Sequence, residues 1–572
     1  MPKPVSQPAI AAAAACALAW AAAWQPAWAE SVGAQRWAIA TGHPTATAAG
    51  LAVLRDGGTA IDAAVAASLT LGVAEPYGSG LGGKLVLLYY DAASAEVTCV
   101  EALCESPEGL DAESFTDLPS SARKYGYQAV AVPGLPAGLH AAHQRWGAKP
   151  WAELVRPAER LAREGILVDE TMRGLWSPHQ KDLAADAQAA RLYLVDGQTP
   201  PVGARLPNPE LAETLARYAA GGADGFYTGE TARRIVAAAQ AAGSPLTLGD
   251  FADYRAEFVE PLSVNYHGYR VYSSPPPLTG GVTVLAALRA AELAGAPLPS
   301  ERNAAYIDRF GRLLRAIYPP VTRNVADTPD AMAYCRRLLA DEALKRLADF
   351  AQQIDPAEED LDAPFVDEAT LDDAPAAGTT HLTVIDSQGN MASLTQSLSL
   401  HFGAAVVPPG TGVLLNDSLS NFATNWTASP NYAGAAKRAR STVAPVIATR
   451  DGLPALAMGL PGGQRIPTMT LQIVADCLGA GAPLGEAFAR PRFHLRRPTS
   501  SKQPENLIDL EEGAAEGELR RVRAALADLG WQTSLKPATG LYFGGGNGVM
   551  VLGRDRLMAV ADDRRTNHAA GD

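Results

Sequence analysis

An acidic, proline-broken stretch past the midpoint of the chain limits how it can fold, because it stops at a threonine pair that opens a strand. Residues 355–378 hold nine Asp or Glu, with Pro356, Pro364 and Pro375 as breakers. Like charges repel and proline denies the segment a helix or a central strand, so it reads as an exposed linker. It ends at Gly378-Thr379-Thr380-His381. Residues 381–386 then alternate as a strand, Ser387-Gln388-Gly389-Asn390 makes a turn, and residues 391–399 return as a second strand. The chain is thus divided at a joint that faces water, yet the residue after the joint is committed to a sheet. Such a joint suits self-cleavage. A threonine hydroxyl can attack the preceding carbonyl, and glycine there carries no side chain to obstruct it. The product would begin with Thr379, whose free α-amine can activate its own hydroxyl. Taken alone, the four residues are more often an ordinary strand start.

The remainder reads as globular: 47% hydrophobic and 19% charged residues supply a core and a solvated surface. A net charge of −13, with no Lys/Arg-rich stripe, excludes a basic nucleic-acid footprint. Residues 1–29 are set apart. Lys3, an apolar run over residues 10–24 and the ending Ala27-Trp28-Ala29 describe a secretory signal peptide, with an Ala-rich extension as the alternative. The run is too short for a membrane span, so the mature chain is expected to be soluble and periplasmic or secreted.

Helical patterning is expected over residues 45–71 with a turn at Asp56-Gly57-Gly58, over 134–165, over 210–242, and over 303–354 with a break at Pro319-Pro320. Strands are expected over 85–90 and 262–272, the latter running into Pro275-Pro276-Pro277. Cys99 and Cys104 read as buried thiols, or as a local bridge. His140 and His143, three apart on a helix, read as surface residues, since no Glu or Cys completes a metal pattern. Residues 78–84 fit G-x-x-x-x-G-K, but Leu85 stands where a Ser or Thr would hold Mg²⁺. The order helix, loop, strand is also reversed, so a nucleotide-binding loop is excluded.

Several phrases, in order along the chain, carry a resemblance. Asp62-Ala63-Ala64-Val65-Ala66 precedes Gly80-Leu81-Gly82-Gly83, Val132-Pro133-Gly134 and Leu161-Ala162-Arg163-Glu164-Gly165. Phe226-Tyr227-Thr228-Gly229 and Pro275-Pro276-Pro277 follow. After the linker come residues 379–386, Pro409-Gly410-Thr411-Gly412 and Gly459-Leu460-Pro461-Gly462-Gly463. The chain resembles the γ-glutamyltransferase (glutathione hydrolase) family of N-terminal-nucleophile hydrolases. The resemblance implies an α/β (α+β) fold, a four-layer αββα sandwich. It implies self-cleavage between Gly378 and Thr379, giving a large subunit of residues 30–378 and a small one of 379–572. Thr379 would carry the acyl group of a γ-glutamyl amide such as glutathione and pass it to water or an acceptor amine. Ser397 stands where the family has a second Thr beside the nucleophile. Gly462 and Gly463 match the oxyanion-hole pair, and a Gly-Gly turn before the helical residues 467–478 suits that task, although the same turn also reads as plain structure.

The pocket for the glutamyl head group departs from the family pattern. Aligned on Pro107, Leu103 takes the place of the arginine that binds the α-carboxylate. The Asn of the family's Thr-x-Asn becomes Ser399, an acid or amide contact becomes Ser418, and the Asp that pairs with the ammonium becomes Asn421. Ser441 and Thr442 retain a hydroxyl pair. Charge-assisted hydrogen bonds contribute roughly 1.5–3 kcal/mol each, so losing two implies glutamyl binding weaker by about a hundredfold. Lys84 and Arg440 read as surface charges, or as holders of an anionic group. Alternatives to the glutamyl reading are therefore an acylase acting on a non-glutamyl substrate and an uncleaved, non-catalytic homologue. No cofactor, metal or nucleic acid is implied; the expected partner is a small-molecule amide.

Overall fold

The computed structural model describes residues 29–358, 377–497, 504–513, 515–538 and 541–572. Of the leader expected over residues 1–29 all but Ala29 lies outside the described residues, as do residues 359–376 of the expected linker. Two seven-stranded antiparallel sheets form the centre. The first runs in the order Glu257–Val259, Glu96–Ala102, Lys84–Asp91, Met391–Leu400, Ala377–Ile385, Ala38–Thr41 and His568–Gly571. The second runs Leu262–Tyr266, Tyr269–Ser273, Val446–Arg450, Leu453–Gly459, Asn547–Gly553, Arg556–Asp562 and Ala29–Ala34. Each sheet mixes strands from before and after the linker, so neither half can complete a sheet without the other.

The strand period of two explains the layering. In Lys84–Asp91, Leu85, Leu87 and Tyr89 belong to one core with Ala63, Val65 and Leu139 from helices Ala60–Ala74 and Leu135–Trp146. Their neighbours Val86, Leu88 and Tyr90 belong to a second core with Leu456 and Met458 of the other sheet. Every residue of Met391–Leu400 is buried for the same reason. Helix Thr279–Leu293 packs on strands Leu262–Tyr266 and Tyr269–Ser273 of the second sheet, and helix Ile466–Val474 packs beside it. Helix, sheet, sheet, helix is the αββα order. Helix Ala60–Ala74 lies close to the first sheet because seven of its first eight residues are small or branched only once, and it is anchored by Thr59 and Asp62, which cap each other's backbone amides.

Several expectations are refined. Residues 262–272 form a hairpin and not one strand, because His267 (φ 48°) and Gly268 (φ 80°) take the left-handed pair of a tight turn. Pro319 and Pro320 do not break their segment; helix Ala304–Asn324 continues through both, held by buried Phe310, Leu314, Ile317 and Val321 on one face. Residues 45–71 break at the expected turn into helices Pro44–Arg55 and Ala60–Ala74, whereas residues 134–165 split into two helices and residues 210–242 into three. His143 is buried, not on the surface, and its Nε2 lies 2.8 Å from the Lys149 carbonyl; His140 is half-buried. Cys99, Cys104, Cys335 and Cys477 are all buried free thiols.

Candidate active site

Antiparallel register assembles the site. Thr379 pairs with Ser397, and Ser397 pairs with Lys84 on the next strand. Residues directly opposite across a ladder share a face, so these three side chains stand in a row on the inter-sheet face. The ladder slips by one residue between Gly378 and Thr379, a bulge that re-aims the chain at the joint. Ser399, just beyond, sits at φ 83°, a costly conformation for a residue with a side chain. A Cβ on Gly378 would lie 2.1 Å from the Leu400 carbonyl oxygen and 2.8 Å from that of Tyr77, so only glycine fits before Thr379. Gly83 has the same explanation: a Cβ would meet the Ser397 carbonyl oxygen at 2.4 Å. The glycine-rich stretch therefore serves close backbone approach, in keeping with the exclusion of a phosphate loop.

Around the joint the hydroxyls form a chain. Thr379 Oγ1 is 3.0 Å from Ser397 Oγ, and Ser397 Oγ donates to the Gly378 carbonyl at 2.5 Å. Ser397 has one proton, so when it points at Gly378 the Thr379 hydroxyl is the donor to Ser397. The Ser399 N–H also donates to Ser397 Oγ at 3.0 Å. Arg565 Nη1 donates to the Thr379 carbonyl at 3.1 Å, and buried Arg565 in turn faces Glu75. Burial pushes the Glu75 carboxyl up, opposed by Thr380, Arg565 and Tyr77.

Thr379, Ser397, Ser399, Asn421, Ser441, Thr442 and Gly463 line one pocket, together with Lys84, Thr279 and Arg440. Gly462 (φ 146°) and Gly463 (φ 59°) form the turn that starts helix Ile466–Val474, and Thr442 Oγ1 donates to the Gly463 carbonyl at 2.7 Å. Ser418 stands behind the wall, its Oγ 3.2 Å from Ser399 Oγ. Leu103 is not a lining residue; it packs in the apolar core. The surface reading of Lys84 and Arg440 is corrected: both are buried. Lys84 Nζ donates to Ser399 Oγ at 2.7 Å and to Ser418 Oγ at 3.4 Å, while Arg440 donates to the Val325 and Thr322 carbonyls. The burial of Lys84 was not legible because nothing local marks a lysine at a strand start as inward-facing. Arg565 was missed altogether, since it reaches the joint only through tertiary structure.

His381 follows Thr379 on the same face. Burial lowers its imidazole to about 3, so it is neutral in the folded chain, with Nδ1 2.9 Å from Thr395 Oγ1. The unfolded chain binds this proton below about pH 6.5, whereas the folded one does not until about pH 3. Stability from this group is full above pH 6.5 and is lost as pH falls, by about 1.4 kcal/mol per pH unit. Urea unfolding between pH 7 and 4 is expected to show this slope, and His381→Gln to reduce it by that amount.

A sequence model described as gamma-glutamyltranspeptidase matches residues 46–572. Among curated relatives, the glutathione hydrolase proenzyme of Pseudomonas sp. (strain A14) is 32% identical over 81% of this chain and 82% of its own. The acylase ACY 1 proenzyme of Pseudomonas sp. (strain SE83) is 33% identical over 80% and 82%. Among solved structures, the cephalosporin acylase from Bacillus halodurans superposes with a TM-score of 0.83 at 25% identity, covering 100% of this chain and 99% of that one. The two-sheet sandwich is accordingly the N-terminal-nucleophile hydrolase fold, and with a match across nearly all of its length this chain belongs to the γ-glutamyltranspeptidase family.

Proposed function

We propose that the protein is a self-processing amide hydrolase or acyltransferase whose nucleophile is Thr379. The observation that carries this reading is the hydroxyl chain from Thr379 Oγ1 through Ser397 Oγ to the Gly378 carbonyl. In the first step Thr379 Oγ1 adds to the Gly378 carbonyl carbon. Its proton passes to Ser397 Oγ while Ser397 gives its own proton to the former Gly378 carbonyl oxygen, leaving a neutral tetrahedral intermediate. The C–N bond then breaks, the Thr379 nitrogen takes up a proton, and an ester remains. Water hydrolyses the ester to a Gly378 carboxylate and a free Thr379. In later turnovers the α-amine is the base, the Gly462 and Gly463 N–H groups receive the oxyanion, and an acyl-Thr379 ester passes its acyl group to water or an amine.

Relatives named glutathione hydrolase support a γ-glutamyl amide as donor. A non-glutamyl acylase is the second reading, favoured by the pocket itself: Asn421 stands where an ammonium partner was expected, and Leu103 is withdrawn into the core. We place the start of the mature chain at residue 30, after an export signal, and the protein in the periplasm or outside the cell. Intact mass of the purified protein tests the central claim. Two fragments meeting at Gly378/Thr379, with activity on an acyl anilide, are expected; a single inactive chain would leave a non-catalytic homologue.

A further inference from the structure

We infer that the pocket holds a second nucleophile, Ser399, with Lys84 as its general base, and that this pair hydrolyses aryl esters of small acyl groups through an acyl-Ser399. The inference does not depend on Thr379. Lys84 is a buried amine that the chemistry at Thr379 leaves unused. Its Nζ lies 2.7 Å from Ser399 Oγ, and Ser418 Oγ is 3.4 Å from Nζ and 3.2 Å from Ser399 Oγ. A lysine in contact with a serine hydroxyl is a recurrent form of activated nucleophile on unrelated folds. Ser399 lines the pocket, whereas Ser418 stands behind its wall.

Register explains the contact. Ser397 stands opposite Lys84 on the neighbouring strand, and Ser399, two residues further on, is diagonal to the lysine. Its φ of 83° is costly for serine, and strain of this kind clusters at active sites. Other pocket hydroxyls are turned to backbone: Ser397 donates to the Gly378 carbonyl, Thr279 to that of Ser441 and Thr442 to that of Gly463. Burial pushes the Lys84 ammonium down, opposed by Cys104 and Asp417. Asp417 is committed elsewhere, since its Oδ1 accepts from the Leu400 N–H at 2.8 Å and its Oδ2 from the Ser420 hydroxyl at 2.7 Å. An amine held from water sheds its proton more readily, and the 2.7 Å contact then reverses, with Ser399 donating to Nζ. Ser399 Oγ adds to the ester carbonyl carbon as its proton passes to Nζ. The Asn421 amide, 3.2 Å from Ser399 Oγ, is a donor beside the new oxyanion. Collapse breaks the bond to the phenolate, which leaves and takes up the proton that Lys84 gives back through water. A water molecule next adds to the acyl carbon, its proton passes by way of Nζ to Ser399 as that oxygen departs, and a carboxylic acid and a phenol result. Phenolate leaves without prior protonation and an amine does not, so aryl esters, and not amides, are the class.

The test adds 4-nitrophenyl acetate to the full-length wild-type chain and to Thr379→Ala, follows release of 4-nitrophenolate, and locates the acetyl group by fragmentation mass spectrometry. A stoichiometric burst is expected from Thr379→Ala, with the acetyl group on Ser399 in both proteins. Added to Thr379→Ala, Ser399→Ala is expected to abolish the burst, and Lys84→Met to slow it by about 100-fold or more, the scale for loss of a general base. If the Lys84 variant does not fold, the position of the acetyl group in the chain that keeps Lys84 decides. An acetyl group confined to Thr379 or to surface lysines overturns the inference, as does a burst that survives Ser399→Ala. The same spectra report whether wild type is cut at Gly378/Thr379, so failure of the Thr379 reading is seen separately from failure of this one.

Discussion

Thr379→Ala is expected to leave the chain uncut and to lower amide hydrolysis by about 10⁴-fold or more, the scale seen when a nucleophile is removed. The pocket holds other hydroxyls, on Thr279, Ser397, Ser399, Ser441 and Thr442. Thr379 differs from them in two respects. Its backbone nitrogen is the one freed by cleavage at Gly378, and its hydroxyl joins directly to the chain that ends on the Gly378 carbonyl. The variant loses one hydroxyl and one methyl from a strand held on both sides, so its fold should survive, and an unchanged melting profile would show that. Thr379→Ser keeps the nucleophile and is expected to be cut, more slowly. A gel of the purified precursors and initial rates on an acyl anilide check both variants. Fragments of wild-type size from Thr379→Ala would mean that another protease makes the cut; undiminished turnover would move the nucleophile to another hydroxyl.

Much of this arrangement was legible in the residues, and the exceptions have physical causes. The strand pair 381–386 and 391–399 could be read because alternation and a Ser-Gln-Gly-Asn turn are local signals. The hydroxyl partnership of Thr379 with Ser397 came through family resemblance, and the ladder register now gives it a geometric basis. Lys84 was read as surface because charge at a strand end is ordinarily solvated, whereas here the neighbouring glycines let the strand press against Ser397 and carry the lysine inside. Leu103 stands at an alignment position and not a pocket position: its side chain joins the core while its carbonyl accepts from Tyr254 at 2.6 Å. No pattern near residue 565 announces that an arginine there will reach Thr379 across 186 residues. The prolines of helix Ala304–Asn324 misled for a different reason, since burial of one helix face outweighs the backbone bonds they remove.

Ser397→Ala is expected to slow self-cleavage by 10²- to 10³-fold, the range for removing one donor to a developing oxyanion. The methyl that remains can neither accept from Thr379 Oγ1 nor donate to the Gly378 carbonyl, so the proton path and the polarising contact disappear together. The Ser399 N–H loses its acceptor as well, at a residue already held at φ 83°. Leaving such buried groups unpaired costs about 1–3 kcal/mol each, so a lower melting temperature should accompany the slow cut. Ser397→Thr separates the two effects, because it restores the hydroxyl at the same atom: cleavage is expected within about tenfold of wild type. Following the purified precursor through a single cut by mass spectrometry isolates this step from substrate binding. If Ser397→Ala cuts at the wild-type rate while melting lower, Ser397 is a structural partner only. The proton of Thr379 must then leave by a route that does not pass through Ser397.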